Sequence, residues 1–109
     1  MQPIPSAPVL LAALSGLALA SPLAALASSA DAWAAHHQQV TRACMEASGL
    51  VNARLVGSVI TYDDSVGKSA ALIAGRYPQA HMAGREGLSL CLYDRRSRTA
   101  QAAPADDWR

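Results

Sequence analysis

Hydrophobic positions along this chain change their spacing twice, and each change predicts a different kind of element. Val9–Leu19 is a continuous apolar run without a charged residue. Between Asp31 and Gly49 apolar positions recur every three or four residues, which is the spacing of one helix face. From Val51 onward β-branched residues dominate, with turn residues between the runs, and this pattern predicts antiparallel strands.

The apolar run is followed by the features of a signal-peptide cleavage site. No charged residue precedes Asp31, Pro22 follows the run, and small residues stand at Ala25 and Ala27. A signal peptidase recognises such small residues, so we predict a signal peptide over residues 1–27 and cleavage after Ala27. The mature chain is then expected in the periplasm or outside the cell, without stable membrane insertion.

Other interpretations of the leader stay open. The first eight residues carry no Lys or Arg, unlike the usual start of a signal peptide. An uncleaved anchor over Val9–Ala27 is the alternative, because this segment is almost long enough to cross a bilayer. Alanine pairs with the same spacing also allow cleavage after Ala20, Ala32 or Ala34.

A single helix is predicted directly after the cleavage site. Ser28-Ser29-Ala30-Asp31 fits the capping-box pattern, with Ser28 as N-cap, and Gly49 is a suitable residue to follow the last turn. One face of the helix collects apolar and aromatic residues spaced by three or four positions. These residues are Trp33, His37, Val40, Cys44 and Ala47.

Four strand-like runs separated by turn residues follow the helix. Asp63–Gly67 and Arg95–Ser97 are predicted as turns and Gln79–Gly87 as a loop. Residues 104–109 are predicted as a flexible tail, with the alternative that Trp108 folds back onto the domain. Residues 28–103 therefore form one small α+β domain, with the helix packed on an antiparallel sheet of three or four strands. The predicted strands are Val51–Tyr62, Lys68–Tyr77, Leu88–Asp94 and the weaker Arg98–Ala103.

The two cysteines, Cys44 and Cys91, are predicted to form a disulfide that joins the helix to the sheet. Pairing is the expectation for an even number of cysteines in a chain that enters an oxidising compartment. A mature chain of about 82 residues also has a small core, which a disulfide supports. A redox or metal-binding thiol pair is the alternative, but the chain has no CxxC spacing.

The alternation in the third predicted strand separates its leucines from its cysteine. Successive side chains of a strand point to opposite faces, so Leu90 and Leu92 point away from Cys91. If Cys91 faces the helix, the leucine face is covered either by a curled sheet or by another molecule. A row of exposed leucines would mark an interface with a second copy or with a protein partner. The candidate interface residues are Leu72, Leu88, Leu90 and Leu92.

The balance of charge excludes a dedicated nucleic-acid binder. Nine Lys and Arg residues stand against eight Asp and Glu residues, a net charge of +1, whereas phosphate binding requires a strong basic excess. Arginines concentrate in the C-terminal half, where contact with an anionic surface is the functional alternative to simple solvation. They are Arg76, Arg85, Arg95, Arg96 and Arg98.

Two short motifs resemble catalytic sites but are better explained by turns. Gly67-Lys68-Ser69 looks like the end of a phosphate-binding loop, but Tyr62 stands where that loop requires its first glycine. Asp63 and Asp64 are adjacent, so they point in opposite directions on an extended chain, and Asp is a common turn residue. We therefore expect a protein that is not an enzyme and carries no cofactor, and that acts as a protein-binding or envelope accessory module stabilised by one disulfide.

Three histidines provide a metal-binding alternative, in which His36, His37 and His81, with Met82, bind copper or nickel. Cleavage after Ala34 would make His37 the third residue of the mature chain. A free amine with histidine at position three binds Cu(II) or Ni(II) in a square-planar set of nitrogens. The favoured interpretation instead places His37 on the apolar face of the helix and His36 and His81 at the surface.

Four sequence segments carry a resemblance to a known group of proteins. They are Cys44, Gly75-Arg76-Tyr77-Pro78-Gln79, His81-Met82 and Cys91-Leu92-Tyr93-Asp94-Arg95-Arg96. Over about Thr41 to Arg98 the chain resembles small, uncharacterised exported proteins of proteobacteria, which have one cysteine in a first helix and a second in a CLYDR-type strand. The resemblance implies export and the two-cysteine framework, and it implies no activity, cofactor, partner or site residue.

The intact mass of the protein from the exported fraction tests the leader and the disulfide together. We expect a chain that begins at Ser28 and gains two hydrogens on reduction, because the cleaved chain oxidises its two cysteines. A start at Ala35 would instead create the N-terminal metal site. An uncleaved chain, or one with free thiols, would contradict export.

Overall fold

The described part of the chain is a helix followed by a four-stranded antiparallel sheet. A computed structural model describes residues 22–108 and the side chains of residues 29–108. The predicted α+β fold is confirmed, and the sheet has all four strands. The elements are helix α1 (Pro22–Ser48), strands β1 (Val51–Thr61), β2 (Lys68–Arg76), β3 (Glu86–Asp94) and β4 (Thr99–Pro104), and short 3₁₀ helices at Ala80–Met82 and Asp106–Trp108.

Helix α1 begins earlier than the sequence predicts. The expected N-cap, Ser28, lies inside the helix, which starts at Pro22. Proline suits the first helical position, and the alanine-rich segment that follows has high helix propensity, so the helix does not need a start at Ser28. Residues 1–21 of the predicted signal peptide lie outside the described residues. Over residues 22–108, no helix is long and apolar enough to cross a membrane.

The sheet is a meander in which each strand pairs with the next, in the order β1-β2-β3-β4. The β2–β3 pair is regular over its whole length, from Lys68 opposite Asp94 to Arg76 opposite Glu86. Strand β1 is irregular, because its register with β2 shifts twice and Gly57 has a positive φ of 75° at the second shift. A glycine suits this position because it has no Cβ to oppose a positive φ.

The part of helix α1 from Ala34 onward covers one face of the sheet, which is called the inner face below. The unit that begins at Ala34 is compact. In it, helix side chains pack against the odd-numbered residues of β2 and β3, because strand alternation brings those residues to one side. The buried core consists of Val40, Cys44, Ala71, Ile73, Cys91 and Tyr93.

The predicted disulfide between Cys44 and Cys91 is confirmed. It joins α1 to β3 across 47 residues of sequence, with the two Cα atoms 5.7 Å apart. Both cysteines are fully buried within the core. The bridge therefore determines which face of β3 meets the helix.

Two facing glycines make room for the packing at one end of the inner face. Gly75 of β2 lies opposite Gly87 of β3. A Cβ at Gly75 would lie 2.7 Å from the Leu50 Cβ, and a Cβ at Gly87 would lie 2.6 Å from the Tyr77 ring. Without these side chains, Leu50 and Tyr77 can lie directly on the strands. The predicted loop Gln79–Gly87 extends too far, because strand β3 already begins at Glu86.

The helix presents a different histidine to the sheet than the sequence predicts. His37 is exposed and His36 is half-buried, so the predicted places of these two residues are wrong. Of the predicted apolar face only Val40 and Cys44 are buried. The cause is the rotation that the disulfide imposes: Cys44, Val40 and His36 lie one turn apart and meet the sheet together.

The C-terminal segment is held on the sheet, in contrast to the flexible tail predicted for residues 104–109. Pro104 belongs to β4, the Ala105 amide donates to the Leu88 carbonyl at 2.8 Å, and Ala105 is buried. The Asp106 carboxylate accepts hydrogen bonds from the Leu88 amide at 2.7 Å and from the Tyr77 hydroxyl. These bonds continue the edge of β3 beyond β4, which the sequence pattern alone does not reveal.

Replacing both cysteines, as Cys44→Ala with Cys91→Ala, should lower the free energy of unfolding by about 4 kcal/mol, because a loop of 47 residues is no longer closed in the unfolded chain. Guanidinium denaturation followed by circular dichroism measures the change. Wild-type protein kept reduced is the matched control and should unfold near the midpoint of the double variant. Coincident oxidised and reduced midpoints would contradict a stabilising bridge.

Candidate interaction surface

The second face of the sheet, called the outer face below, collects the even-numbered residues of β2 and β3. Alternation places them opposite the core residues Ile73 and Cys91, which point to the helix. All four predicted interface residues lie on these even-numbered positions. The outer residues of β2 are Lys68, Ala70, Leu72, Ala74 and Arg76, and those of β3 are Glu86, Leu88, Leu90, Leu92 and Asp94.

The four leucines differ in exposure. Leu92 is 44% exposed, Leu72 and Leu90 are half-buried, and Leu88 is buried. Leu88 is therefore not part of an exposed row. Its backbone carbonyl accepts a hydrogen bond from the Ala105 amide of the C-terminal segment. The other three leucines form the apolar centre of the outer face.

Strand β1 and the C-terminus add exposed apolar residues that sequence reasoning missed. Val56 lies opposite Leu72, and Ile60, which is 59% exposed, lies opposite Ala70. The even spacing of Val56 and Ile60 on a predicted strand is a signal for one shared face. Trp108 is 67% exposed and borders the same face.

Two shallow grooves cross the outer face, one on each side of Leu90. The first has a volume of about 320 Å³ and extends over β1 and β2. The second has a volume of about 490 Å³ and lies over β3 and β4, between Leu90, Leu92, Gln101 and Ala103. The lining of the first groove includes Val56, Ile60, Ala70, Leu72, Leu90 and Trp108.

Charged residues stand at both ends of the outer face. At one end the Lys68 ammonium donates to the Asp94 carboxylate at 3.0 Å. This bond, followed by those from the Ser97 and Arg96 amides, lowers the pKa of Asp94 to about 2. At the other end Arg54 and Glu86 form an ion pair at 2.8 Å. The outer face is thus an apolar centre between two zones of mixed charge.

A polar cluster at the end of the inner face holds the turns together. Ser69 is fully buried, and its hydroxyl oxygen lies 3.2 Å from the His36 Nε2 and accepts from Arg95 at 3.3 Å. Arg95 also donates to the carbonyls of Lys68, Tyr62 and Asp63. The sequence predicts Arg95 at a solvated hairpin tip, but its side chain is only 16% exposed because it joins the two turns.

The residues of the two discarded catalytic motifs have structural contacts. Ser69 of the phosphate-loop look-alike is buried, and Lys68 is paired with Asp94. The Asp63 carbonyl closes the β1–β2 turn by accepting from the Val66 and Gly67 amides, both at 2.9 Å. The Asp64 carboxylate lies at the surface, 3.3 Å from Arg95. These contacts are those of turn residues.

The three candidate metal-binding histidines are not brought together. His36 and His37 are neighbours with ring centroids 6.0 Å apart, but His36 packs edge-on against Tyr93 at 5.9 Å. His81 lies on the 3₁₀ helix that follows β2, whereas His36 contacts Ser69 near the start of that strand. Over residues 22–108, no three His, Cys, Asp or Glu side chains are grouped as metal ligands.

Comparison with known proteins assigns neither a family nor a function to this chain. Neither protein-family models, nor curated proteins, nor solved structures match this chain.

Replacing His36 with Gln should reduce the loss of stability in mild acid. Burial first, and then the charges of His37 and Arg95, lower the pKa of His36 below its ordinary value of 6.5. The unfolded chain therefore takes up a proton at pH 6.5 while the folded chain does not, so the stability present above pH 6.5 falls with pH until the lowered pKa is passed.

Denaturant unfolding between pH 7.5 and 4.5 measures this dependence, with His81→Gln as a control for the loss of an imidazole elsewhere. Equal pH dependence of the free energy of unfolding in wild type and His36→Gln would contradict the assignment.

Proposed function

We propose that this chain is a small exported protein, periplasmic or secreted, that acts without catalysis by binding a protein partner through the outer face of its sheet. The observation that carries the proposal is the one-sided cover of the sheet. Helix α1 packs on the inner face, whereas Leu92, Ile60 and Trp108 remain exposed on the other side. Contiguous exposed apolar surface of this kind is typical of protein interaction sites.

Export is supported by the chemistry of the cysteines. A buried structural disulfide between Cys44 and Cys91 requires an oxidising compartment to form, such as the periplasm or the exterior of the cell. The apolar run Val9–Leu19 and the small residues at Ala25 and Ala27 are the sequence features expected of a leader. The two observations are independent and favour the same compartment.

A binding role is favoured over catalysis by the chemistry of the outer face. Its centre consists of aliphatic side chains, which provide contact area but no general acid, base or nucleophile. The charged residues around it are engaged with each other, as in the Lys68–Asp94 and Arg54–Glu86 pairs. Such an apolar centre with a polar rim is the usual composition of a protein interface.

Site-specific photo-crosslinking in the exported full-length chain tests the proposal. A photoreactive amino acid at Leu92 should crosslink to a protein, because this side chain lies at the centre of the outer face. The matched control is Val66, which is 54% exposed but lies in the β1–β2 turn. Absence of crosslinking at Leu92, or equal crosslinking at Val66, would contradict binding through the outer face.

A further inference from the structure

The outer residues of β2 and β3 form five facing rows with a regular division of chemistry. At both ends the basic residue is on β2 and the acidic residue is on β3. In the rows between them the small residue is on β2 and the large residue is on β3, with two leucines in the central row. The rows are Lys68–Asp94, Ala70–Leu92, Leu72–Leu90, Ala74–Leu88 and Arg76–Glu86.

This division makes the outer face complementary to itself. A suitable two-fold axis runs parallel to the strands, above the outer face and midway between β2 and β3. Rotation about this axis turns a second outer face toward the first and places β2 of each copy over β3 of the other. Lys68 and Arg76 then lie over Asp94 and Glu86, and the half-buried Leu72 lies over Leu90. Leu92 lies over the position of Ala70. Ala70, Ala74 and Leu88 are already buried within one copy, so the apolar contact is made by the three other leucines. Two-fold dimers require such self-complementarity.

We propose that the protein partner of the outer face is a second copy of this chain, packed face to face about this two-fold axis. The inference rests on the proposed function, since it names the occupant of the same surface. The opposite charges at both ends of the outer face and the match of Leu72 with Leu90 distinguish a second copy from an unrelated partner. An unrelated partner would not require residues on β2 to match those on β3.

The twist of the sheets is compatible with this arrangement. Packed sheets lie about 10 Å apart with their strands inclined by about 30°, so the central rows meet directly and the end rows are displaced sideways. The end rows carry Lys68 and Arg76, whose long side chains can span such a displacement. The short central residues therefore lie where contact is closest, and the long charged ones lie where it is widest.

The two grooves also match under the same rotation. The β1–β2 half of one copy lies over the β3–β4 half of the other, so the first groove faces the partner's second groove. Trp108, which borders the first groove, then lies over the partner's groove between Leu92, Gln101 and Ala103. Large aromatic side chains in such positions contribute strongly to interfaces.

Both sheet edges disfavour association by strand pairing. Strand β1 has two register shifts, which interrupt the row of backbone groups along its free edge. Strand β4 has only six residues and ends at Pro104, which has no amide hydrogen to donate. Association through the face is therefore favoured over extension of the sheet.

Sedimentation of the full exported chain over a range of concentrations tests the dimer. Leu92→Asp should raise the dissociation constant about 30-fold or more, because a carboxylate is buried over the partner's Ala70. Val66→Asp, outside the outer face, should leave it unchanged. A wild-type chain that stays monomeric at millimolar concentration, or equal effects of the two variants, would overturn the inference.

Charge reversal tests the position of the axis without touching the apolar centre. Arg76→Glu leaves Arg54, which is paired with Glu86, as the only basic side chain at this end of the outer face, and Glu86→Arg leaves only basic ones. Each variant alone should therefore dimerise at least 10-fold more weakly. A mixture of the two should form heterodimers, because each acidic row then faces a basic one. Absence of heterodimers in the mixture would contradict the proposed axis.

The crosslink at Leu92 separates this inference from the proposed function. A product with twice the mass of the chain and only its own peptides supports the second copy. A product with a different protein overturns the second copy but supports binding through the outer face. Absence of any product overturns both.

Discussion

The disulfide between Cys44 and Cys91 is the constraint on which the rest of this fold depends. Because both sulfur atoms are buried between α1 and β3, Cys91 must face the helix. Strand alternation then leaves no freedom for its neighbours: Leu90 and Leu92 must face the opposite way. The bridge thus determines both the covered and the uncovered face of the sheet, and it does so in a domain whose core is otherwise made of few residues.

Two further features adapt the ends of the inner face to this bridge. At one end Gly75 and Gly87 leave the space in which Leu50 and Tyr77 lie on the strands. At the other end the buried hydroxyl of Ser69 meets His36 of the helix and Arg95 of the β3–β4 turn. Burying these polar groups costs little only because each has a hydrogen-bonding partner. The helix is therefore held on the sheet by the bridge and by His36, and the chain directly after the helix is held there by Leu50.

The strands and the disulfide were predictable from sequence because they depend on local periodicity and on cysteine count. The features that were not predictable depend on distant partners. His36 is half-buried, and His37 is exposed, because Cys44 sets the rotation of the helix. Arg95 is half-buried because the carbonyls of another turn lie beside it. Residues 104–108 are held on the sheet because Asp106 accepts a hydrogen bond from the Leu88 amide, a contact between a 3₁₀ helix and a strand that no sequence spacing encodes. The even positions of β2 and β3 indicated the outer face, but only their register revealed its five rows.

A sheet covered on one side can limit its exposed apolar surface in two ways. It can carry small, buried or charged side chains on the uncovered face, or it can pack that face against another molecule. Ala70, Ala74 and Leu88 are buried, and charged residues stand at both ends. Yet Leu92, Ile60 and Trp108 stay exposed at substantial fractions, which water alone does not favour. Small residues opposite large ones also make a surface that fits its own copy, since a face of uniformly large side chains would leave gaps when packed on itself. The proposed dimer would cover these exposed side chains together with the half-buried Leu72 and Leu90.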